Sequence, residues 1–360
     1  DAQQGAERVV EASYEQPYLA HATLEPMNAT AWYRDGAIDV WAPTQAPDLG
    51  RIAAARVTDL SPDEVTIHTT FLGGGFGRRL TNDYIEEAAS VAYRVRKPVK
   101  LIWSREEDTR HDVYRPAMLH RMRASVSGDR LTGWHHQIVG PQILDWYVRN
   151  AAPAQYPWAP KFLYGTLGRV GLLAEGVATP KDHSAIEGAI EYPYRVPNLD
   201  IRHTHTDPGV PVSWWRSVGF SHNGFAVETF MDELAHEVDQ DPYRFRRSLI
   251  DHEPRHLGVL DRVAQLAQWD SAAPEGRARG VALFRSFGTY VAQVVEASVE
   301  FGEIRVHRVF CAVDCGQVVN PDIVRDQIEG GIIFGLTAAL YGNITLEDGQ
   351  VKQSNFHDYP

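Results

Sequence analysis

The run Val65-Thr66-Ile67-His68-Thr69-Thr70-Phe71-Leu72-Gly73-Gly74-Gly75-Phe76-Gly77-Arg78-Arg79-Leu80-Thr81-Asn82-Asp83-Tyr84-Ile85 changes character twice within one short stretch. Glu64 to Leu72 carries the β-branched and apolar residues of a strand, and the glycines then break it. Thr81 or Asn82 is placed to cap a helix through Tyr84, Ile85, Ala88, Ala89, Val91 and Ala92 that ends before Pro98. Consecutive glycines at a strand-to-helix turn let backbone N–H groups approach an oxyanion or oxo group, and the helix N-terminus adds positive potential. The spacing is neither the dinucleotide fingerprint nor a Walker loop. Taken alone, such a turn is a packing device as often as a site.

The neighbouring sequence extends this unit on both sides. Ala37 to Trp41 alternates apolar and polar residues as a half-buried strand does, Ala46 to Val57 has helical spacing, and Val99 to Trp103 is a further strand. Two strand-like runs from His120 to Gly140 flank the turn Ser127-Gly128-Asp129. Helices are predicted over Asn223 to Val238, Pro242 to Ile250 and Asp322 to Leu340, and a hairpin from Ala282–Phe301 and Ile304–Asp314 around Gly302-Glu303. The pattern is that of an α+β protein, mixed sheets with flanking helices. The proline-rich stretch between predicts three parts: a first lobe over 1–150 with the Gly-rich loop, a loop-rich connection over 151–205, and a second lobe over 206–360.

Composition narrows the function. Of 360 residues, 44% are hydrophobic and 23% charged, as in ordinary globular chains. A net charge of -12 opposes binding to phosphate backbones, so nucleic acid is not an expected partner. No apolar run approaches the ~20 residues of a membrane-spanning helix. The two cysteines, Cys311 and Cys315, cannot supply the four ligands of an ordinary iron–sulfur cluster, and are expected to be buried free thiols. Asp1 to Glu7 is polar and lacks an initiating Met, which suggests a processed product or a piece of a longer chain.

Two further motifs bear on chemistry. Trp214-Trp215-Arg216-Ser217-Val218-Gly219 sets an arginine among aromatics ahead of a helix, where it either grips an anionic or carbonyl-bearing substrate or stacks structurally on tryptophan. His203-Thr204-His205 would put two imidazoles on one strand face, but without a third ligand a polar strand face is the better reading than a zinc site.

In order along the chain stand Leu24-Glu25-Pro26-Met27-Asn28, Ala42-Pro43-Thr44-Gln45, the Gly73–Arg79 loop and Trp103-Ser104-Arg105-Glu106-Glu107-Asp108. Trp215-Arg216-Ser217-Val218-Gly219, Asp314-Cys315-Gly316 and Gln327-Ile328-Glu329-Gly330-Gly331 follow. The set resembles the molybdopterin-binding large subunit of the xanthine dehydrogenase and aldehyde oxidase family, in the branch of the isoquinoline 1-oxidoreductase beta subunit. The resemblance implies the fold of the molybdenum-cofactor-binding domains and a hydroxylase that oxidises an N-heteroaromatic ring or an aldehyde with oxygen from water. It implies molybdenum-molybdopterin cytosine dinucleotide in the intact enzyme and a small iron–sulfur partner with 2Fe-2S clusters, and it favours export to the periplasm, with the cytoplasm as the alternative.

By matching motif, Gln45 resembles the glutamine that hydrogen-bonds an oxo ligand. Gly74, Gly75, Phe76 and Gly77 resemble the loop against the metal and pterin, Gln327 a pterin-contacting glutamine, and Arg216 the arginine facing substrate. The departures carry expectations too. The Gly-Glu segment of the family's catalytic base and its Met-Gly-Gln-Gly cofactor segment are not matched, and the one Gly-Glu pair, Gly302-Glu303, lies in a predicted turn. Arg78-Arg79-Leu80 stands where purine-oxidising members place a glutamate. These departures predict the middle of a longer subunit, holding no cofactor by itself and exposing apolar surface that drives self-association. The alternatives are a stand-alone, non-catalytic protein that keeps the fold and a binding cleft, and a metal hydrolase built on His203 and His205.

Overall fold

The elements up to Gly140 run β1 (Arg8–Gln16), β2 (Asn28–Arg34), β3 (Ala37–Ala42), α1 (Pro47–Thr58), β4 (Val65–Thr69), α2 (Asp83–Val95), β5 (Val99–Ile102), α3 (Arg105–Arg110), β6 (Met118–Ser127) and β7 (Arg130–Gly140). Those beyond are β8 (Leu199–His205), α4 (Gly219–Glu237), α5 (Pro242–Leu249), α6 (Pro254–Leu266), β9 (Ala278–Ser286), β10 (Thr289–Glu300), β11 (Glu303–Asp314) and α7 (Pro321–Leu340). A short hairpin, β12 (Leu346–Glu347) and β13 (Gln350–Val351), follows. This computed structural model describes residues 6–143 and 183–360 and, between them, 156, 160–163, 166–167 and 170.

Tyr84, Ile85, Ala88, Ala89 and Ala92 lie on one face of α2, all fully buried. They meet Ala29 and Ala31 of β2 and Ile38, Val40 and Ala42 of β3, and the small side chains on both surfaces let helix and sheet approach closely. That sheet has the order β4-β3-β2-β5. β3 and β4 are parallel neighbours, with Ala42 opposite Thr69, so both strands end at one edge. The loops that leave them, one carrying Gln45 and the other the glycines, are therefore delivered side by side.

A second sheet, β1-β6-β7-β8, and a third, β11-β10-β9, share one core with α4, α5 and α6. Met122, Trp134, Phe230, Leu234, Leu260 and Leu283 belong to it, so this core joins residues on both sides of the proline-rich stretch. At its edge three fully buried imidazoles gather. His120 Nδ1 is 2.8 Å from His136 Nε2, and the His222 ring centroid is 5.9 Å from that of His120. Burial first, then mutual repulsion within the cluster, pushes all three down to about 3, so they are neutral.

The expected elements appear with several corrections. The strand predicted to Leu72 ends at Thr69. Asn82 precedes α2 but its side chain does not cap it, because Oδ1 instead accepts from the Thr44 hydroxyl at 3.1 Å. The run 282–301 is two strands, since Phe287 and Gly288 both take positive φ and make a hairpin turn, as Phe301 and Gly302 do again. Cys311 and Cys315 are half-buried rather than buried, because Cys315 lies past the end of β11 and the strand's face is incompletely covered. β1, β2, α3, α6 and the β12–β13 hairpin have no counterpart among the expectations. Most of the proline-rich stretch lies outside the described residues.

Candidate active site

The glycine loop is shaped from beneath by Arg79, which is fully buried. Its Nε donates to Gly74 O at 2.7 Å, and its Nη2 donates to Glu25 O at 2.7 Å and to Glu25 Oε2 at 3.0 Å. Glu25 Oε2 also accepts from Gly73 N at 2.7 Å. Arg78 is equally buried and forks onto Asp83 at 3.0 and 2.8 Å. The two arginines that stand in place of the glutamate of purine-oxidising members are thus turned into the protein, where Arg79 holds the loop and Arg78 pairs with Asp83. Leu80 is the member of that triplet that reaches the cleft.

Gly77 sits at φ +106°, where a Cβ would fall 1.7 Å from Trp214 O. Only glycine fits there, and through it the first loop touches the Trp214–Val218 turn. That turn is itself strained: Ser217 and the β-branched Val218 both take positive φ, a state that costs about 1–3 kcal/mol per residue and collects at functional sites. His21 braces the contact, with Nε2 2.9 Å from Trp214 O and Nδ1 2.9 Å from Asp112 Oδ1. Trp215 Nε1 donates to Ala20 O at 3.1 Å.

α7 closes the third side. Gln327, Gly331 and Phe334 fall on one helix face, at spacings of four and three residues. Phe334 is stacked between Phe76, at 4.6 Å, and Trp215, at 4.7 Å. Arg216 Nη2 donates to Gln327 O at 3.2 Å, and its guanidinium carbon lies 5.8 Å from the rings of both Phe76 and Phe334. Gly331 leaves room for it, since a Cβ there would come within 3.3 Å of Nη2. Among the described residues no carboxylate pairs with Arg216. Burial draws its guanidinium down from the usual value, as expected of a half-buried, uncompensated cation.

The result is a cleft of about 500 Å³ lined in part by Gln45, Phe76, Gly77, Trp215, Arg216 and Gln327. Five of the seven residues singled out in the sequence therefore meet there. Gly74 and Gly75 are not in the lining: Gly74 gives its carbonyl to Arg79, and a Cβ on Gly75 would press on Gln45 Oε1 at 2.6 Å. Gln45 accepts from Gly77 N at 3.2 Å through that same Oε1, which leaves its Nε2 as a donor without a partner among the described residues. The N–H groups of Gly74, Gly75 and Phe76 are likewise free of protein acceptors among them. A neutral amide and a run of loop N–H groups are what an oxo or phosphate oxygen requires, so the residues present fit such a group.

Neither Phe334 nor His21 stands out in the sequence. An isolated phenylalanine or histidine carries no local signal; the i, i+4, i+7 spacing of Gln327, Gly331 and Phe334 is the one visible hint. His203 Nε2 sits 3.1 Å from Gly140 O and His205 Nδ1 accepts from Gln142 N at 3.2 Å, and among the described residues no group of three His, Cys, Asp or Glu side chains could hold a metal ion. Glu303 lies exposed at a hairpin turn. Among the described residues no helix is long and apolar enough to cross a membrane.

Fold and cleft together define an α+β scaffold in which a glycine loop and an arginine with no carboxylate partner among the described residues border one cleft. A family model described as a molybdopterin cofactor-binding domain matches residues 1–141, and a second of that description matches 257–360. The beta subunit of isoquinoline 1-oxidoreductase from Brevundimonas diminuta is 32% identical, the match covering 94% of this chain and 41% of that protein. A nicotinate dehydrogenase subunit of Pseudomonas putida is 28% identical, over 97% of this chain and 29% of that protein. In fold, quinoline 2-oxidoreductase from Pseudomonas putida 86 superposes with a TM-score of 0.77 at 14% identity, covering 99% of this chain and 68% of that one. The chain belongs to the molybdopterin-binding large subunits of the xanthine dehydrogenase and aldehyde oxidase family. It spans less than half the length of these two curated relatives.

Proposed function

We propose that the chain forms part of a molybdenum hydroxylase that oxidises an N-heteroaromatic ring or an aldehyde with oxygen from water. The observation that carries this reading is the convergence of the Gln45 amide, the Gly77 loop and the carboxylate-free Arg216 on one cleft. Molybdenum-molybdopterin cytosine dinucleotide, when bound, would supply the oxygen-transfer and two-electron chemistry. Gln45 would donate from Nε2 to an oxo group, the N–H groups of Gly74 to Phe76 would face anionic oxygens, and Gln327 would contact the pterin. Arg216 would bind and orient the substrate, and its desolvated fork would stabilise charge gathering on a ring nitrogen or carbonyl oxygen. Among the described residues the lining holds no carboxylate, imidazole, thiol or amine, so the proton acceptor would come from residues other than these. Electrons would leave through a small iron–sulfur subunit with 2Fe-2S clusters.

The test uses the full-length protein with its small subunit. Stoichiometric molybdenum, together with ¹⁸O from labelled water in a hydroxylated quinoline-type ring or a carboxylic acid, is the expected result. Folded full-length protein without molybdenum would instead favour a non-catalytic binding protein.

A further inference from the structure

We propose that His21 is a doubly protonated clamp which holds the Trp214 carbonyl and thereby positions Arg216 at the mouth of the cleft. The inference rests on what each ring nitrogen faces. Nδ1 lies 2.9 and 3.1 Å from the two oxygens of Asp112, and Nε2 lies 2.9 Å from Trp214 O. A carboxylate and a backbone carbonyl are both acceptors only, so the ring donates from both nitrogens. A neutral imidazole would turn a lone pair towards one of them. In a site that is fully buried, water cannot relieve that repulsion.

The surroundings are built for a cation. Asp112 takes the His21 backbone N–H at 2.6 Å and Val113 N at 2.7 Å, which fixes the carboxylate against the ring. Burial pushes Asp112 up, but the His21 charge and hydrogen bond, then the Arg78 charge, outweigh it and hold the carboxyl below its usual range. Arg78, 3.2 Å from Asp112, is itself paired with Asp83. Positive and negative groups thus alternate from His21 through Asp112 and Arg78 to Asp83.

The clamp acts at a distance of two residues. The Trp214 carbonyl is wedged between His21 and the bare Cα of Gly77, and Trp215 is tied to Ala20 O beside it. With the backbone fixed there, Arg216 emerges in one direction, over Phe76 and Phe334. His21 is not itself in the cleft lining and acts on it through Trp214, so it is a positioning residue.

The kinetic part of this inference rests on the function proposed above; the protonation part does not. Full-length protein labelled with ¹⁵N-histidine and ¹³C-carbonyl tryptophan, studied by solid-state NMR at pH 7.5, identifies His21 as the imidazole coupled to a tryptophan carbonyl carbon. Two protonated nitrogens on that ring are expected. One bare nitrogen, or no such coupling, overturns the clamp. In the loaded enzyme His21→Gln should lower kcat/KM at least tenfold at unchanged molybdenum content, and Asp112→Asn, which removes the counter-charge, provides the same reading should His21→Gln fail to fold. Wild-type kcat/KM in a folded variant overturns the positioning role. A full-length protein that holds no molybdenum and turns nothing over defeats the function while leaving the NMR result to stand by itself.

Discussion

Two arginines border the same cleft and are used in opposite ways. Arg79, under the glycine loop, is fully buried, and its hydrogen bonds go to Gly74 O, Pro43 O, Glu25 O and the Glu25 carboxylate. Among the described residues Arg216 makes one hydrogen bond, to a backbone carbonyl, and its remaining donors lie beside two aromatic faces. The first charge is consumed in building the loop. The second is kept available, at the cost of holding a half-buried cation with no counter-ion among the described residues. Mutations should therefore separate structure from chemistry along this pair.

The largest effect on stability belongs to Arg79→Met. Methionine fills much of the volume but donates nothing, so the carbonyls of Glu25 and Gly74 and the Glu25 carboxylate lose their buried donors; Pro43 O keeps a bond from Tyr84. Each buried acceptor left without its donor costs about 1–3 kcal/mol, so with Glu25 one-third exposed the change should remove about 3 kcal/mol. Urea denaturation should show a loss of that size, and a variant as stable as wild type would end the structural reading of Arg79.

The comparison extends to histidines. His21 is buried against a carboxylate, whereas His120, His136 and His222 are buried without one. The three are held at about 3, below the usual 6.5, so the unfolded chain takes up protons first as the pH falls. Their contribution is complete above pH 6.5 and is lost progressively as the pH drops towards 3. Between pH 7.5 and pH 6 this amounts to on the order of 2 kcal/mol for the cluster. Denaturation midpoints at the two pH values measure it, and an unchanged midpoint would show that these rings are not kept neutral.

How much of this could be seen in the sequence follows from range. The β3–α1–β4–loop–α2–β5 unit was legible because each element carries its own period, Ile38 and Val40 on one strand face, Tyr84 through Ala92 on one helix face. The Phe287-Gly288 turn was hidden because one glycine amid apolar residues resembles a strand interior, and α6 was missed although Pro254 stands at its first turn. Gln45 and the glycines could be paired only through a resemblance, since their meeting depends on β3 and β4 lying parallel. The bond between Arg216 and Gln327 joins residues 111 positions apart, a contact that no local pattern encodes.

The smallest effect on stability, and the most informative, is expected of Arg216→Lys. The guanidinium has no carboxylate among the described residues and one hydrogen bond, to Gln327 O, which an ammonium can also make. The change in unfolding free energy should therefore stay within about 0.5 kcal/mol. Chemistry should respond differently. A planar fork over Phe76 and Phe334 presents donors in a fixed direction, while lysine offers a single, strongly hydrated point charge on a flexible stem. If charge builds up on substrate in front of this group, losing the fork should lower kcat/KM by ~10²-fold in the full-length enzyme, the scale seen when one preorganised donor is removed. Both quantities are measured on one preparation. A tenfold or smaller drop in kcat/KM accompanied by a loss of more than about 1 kcal/mol would place Arg216 with Arg79 as a builder of the loop rather than a group acting on substrate.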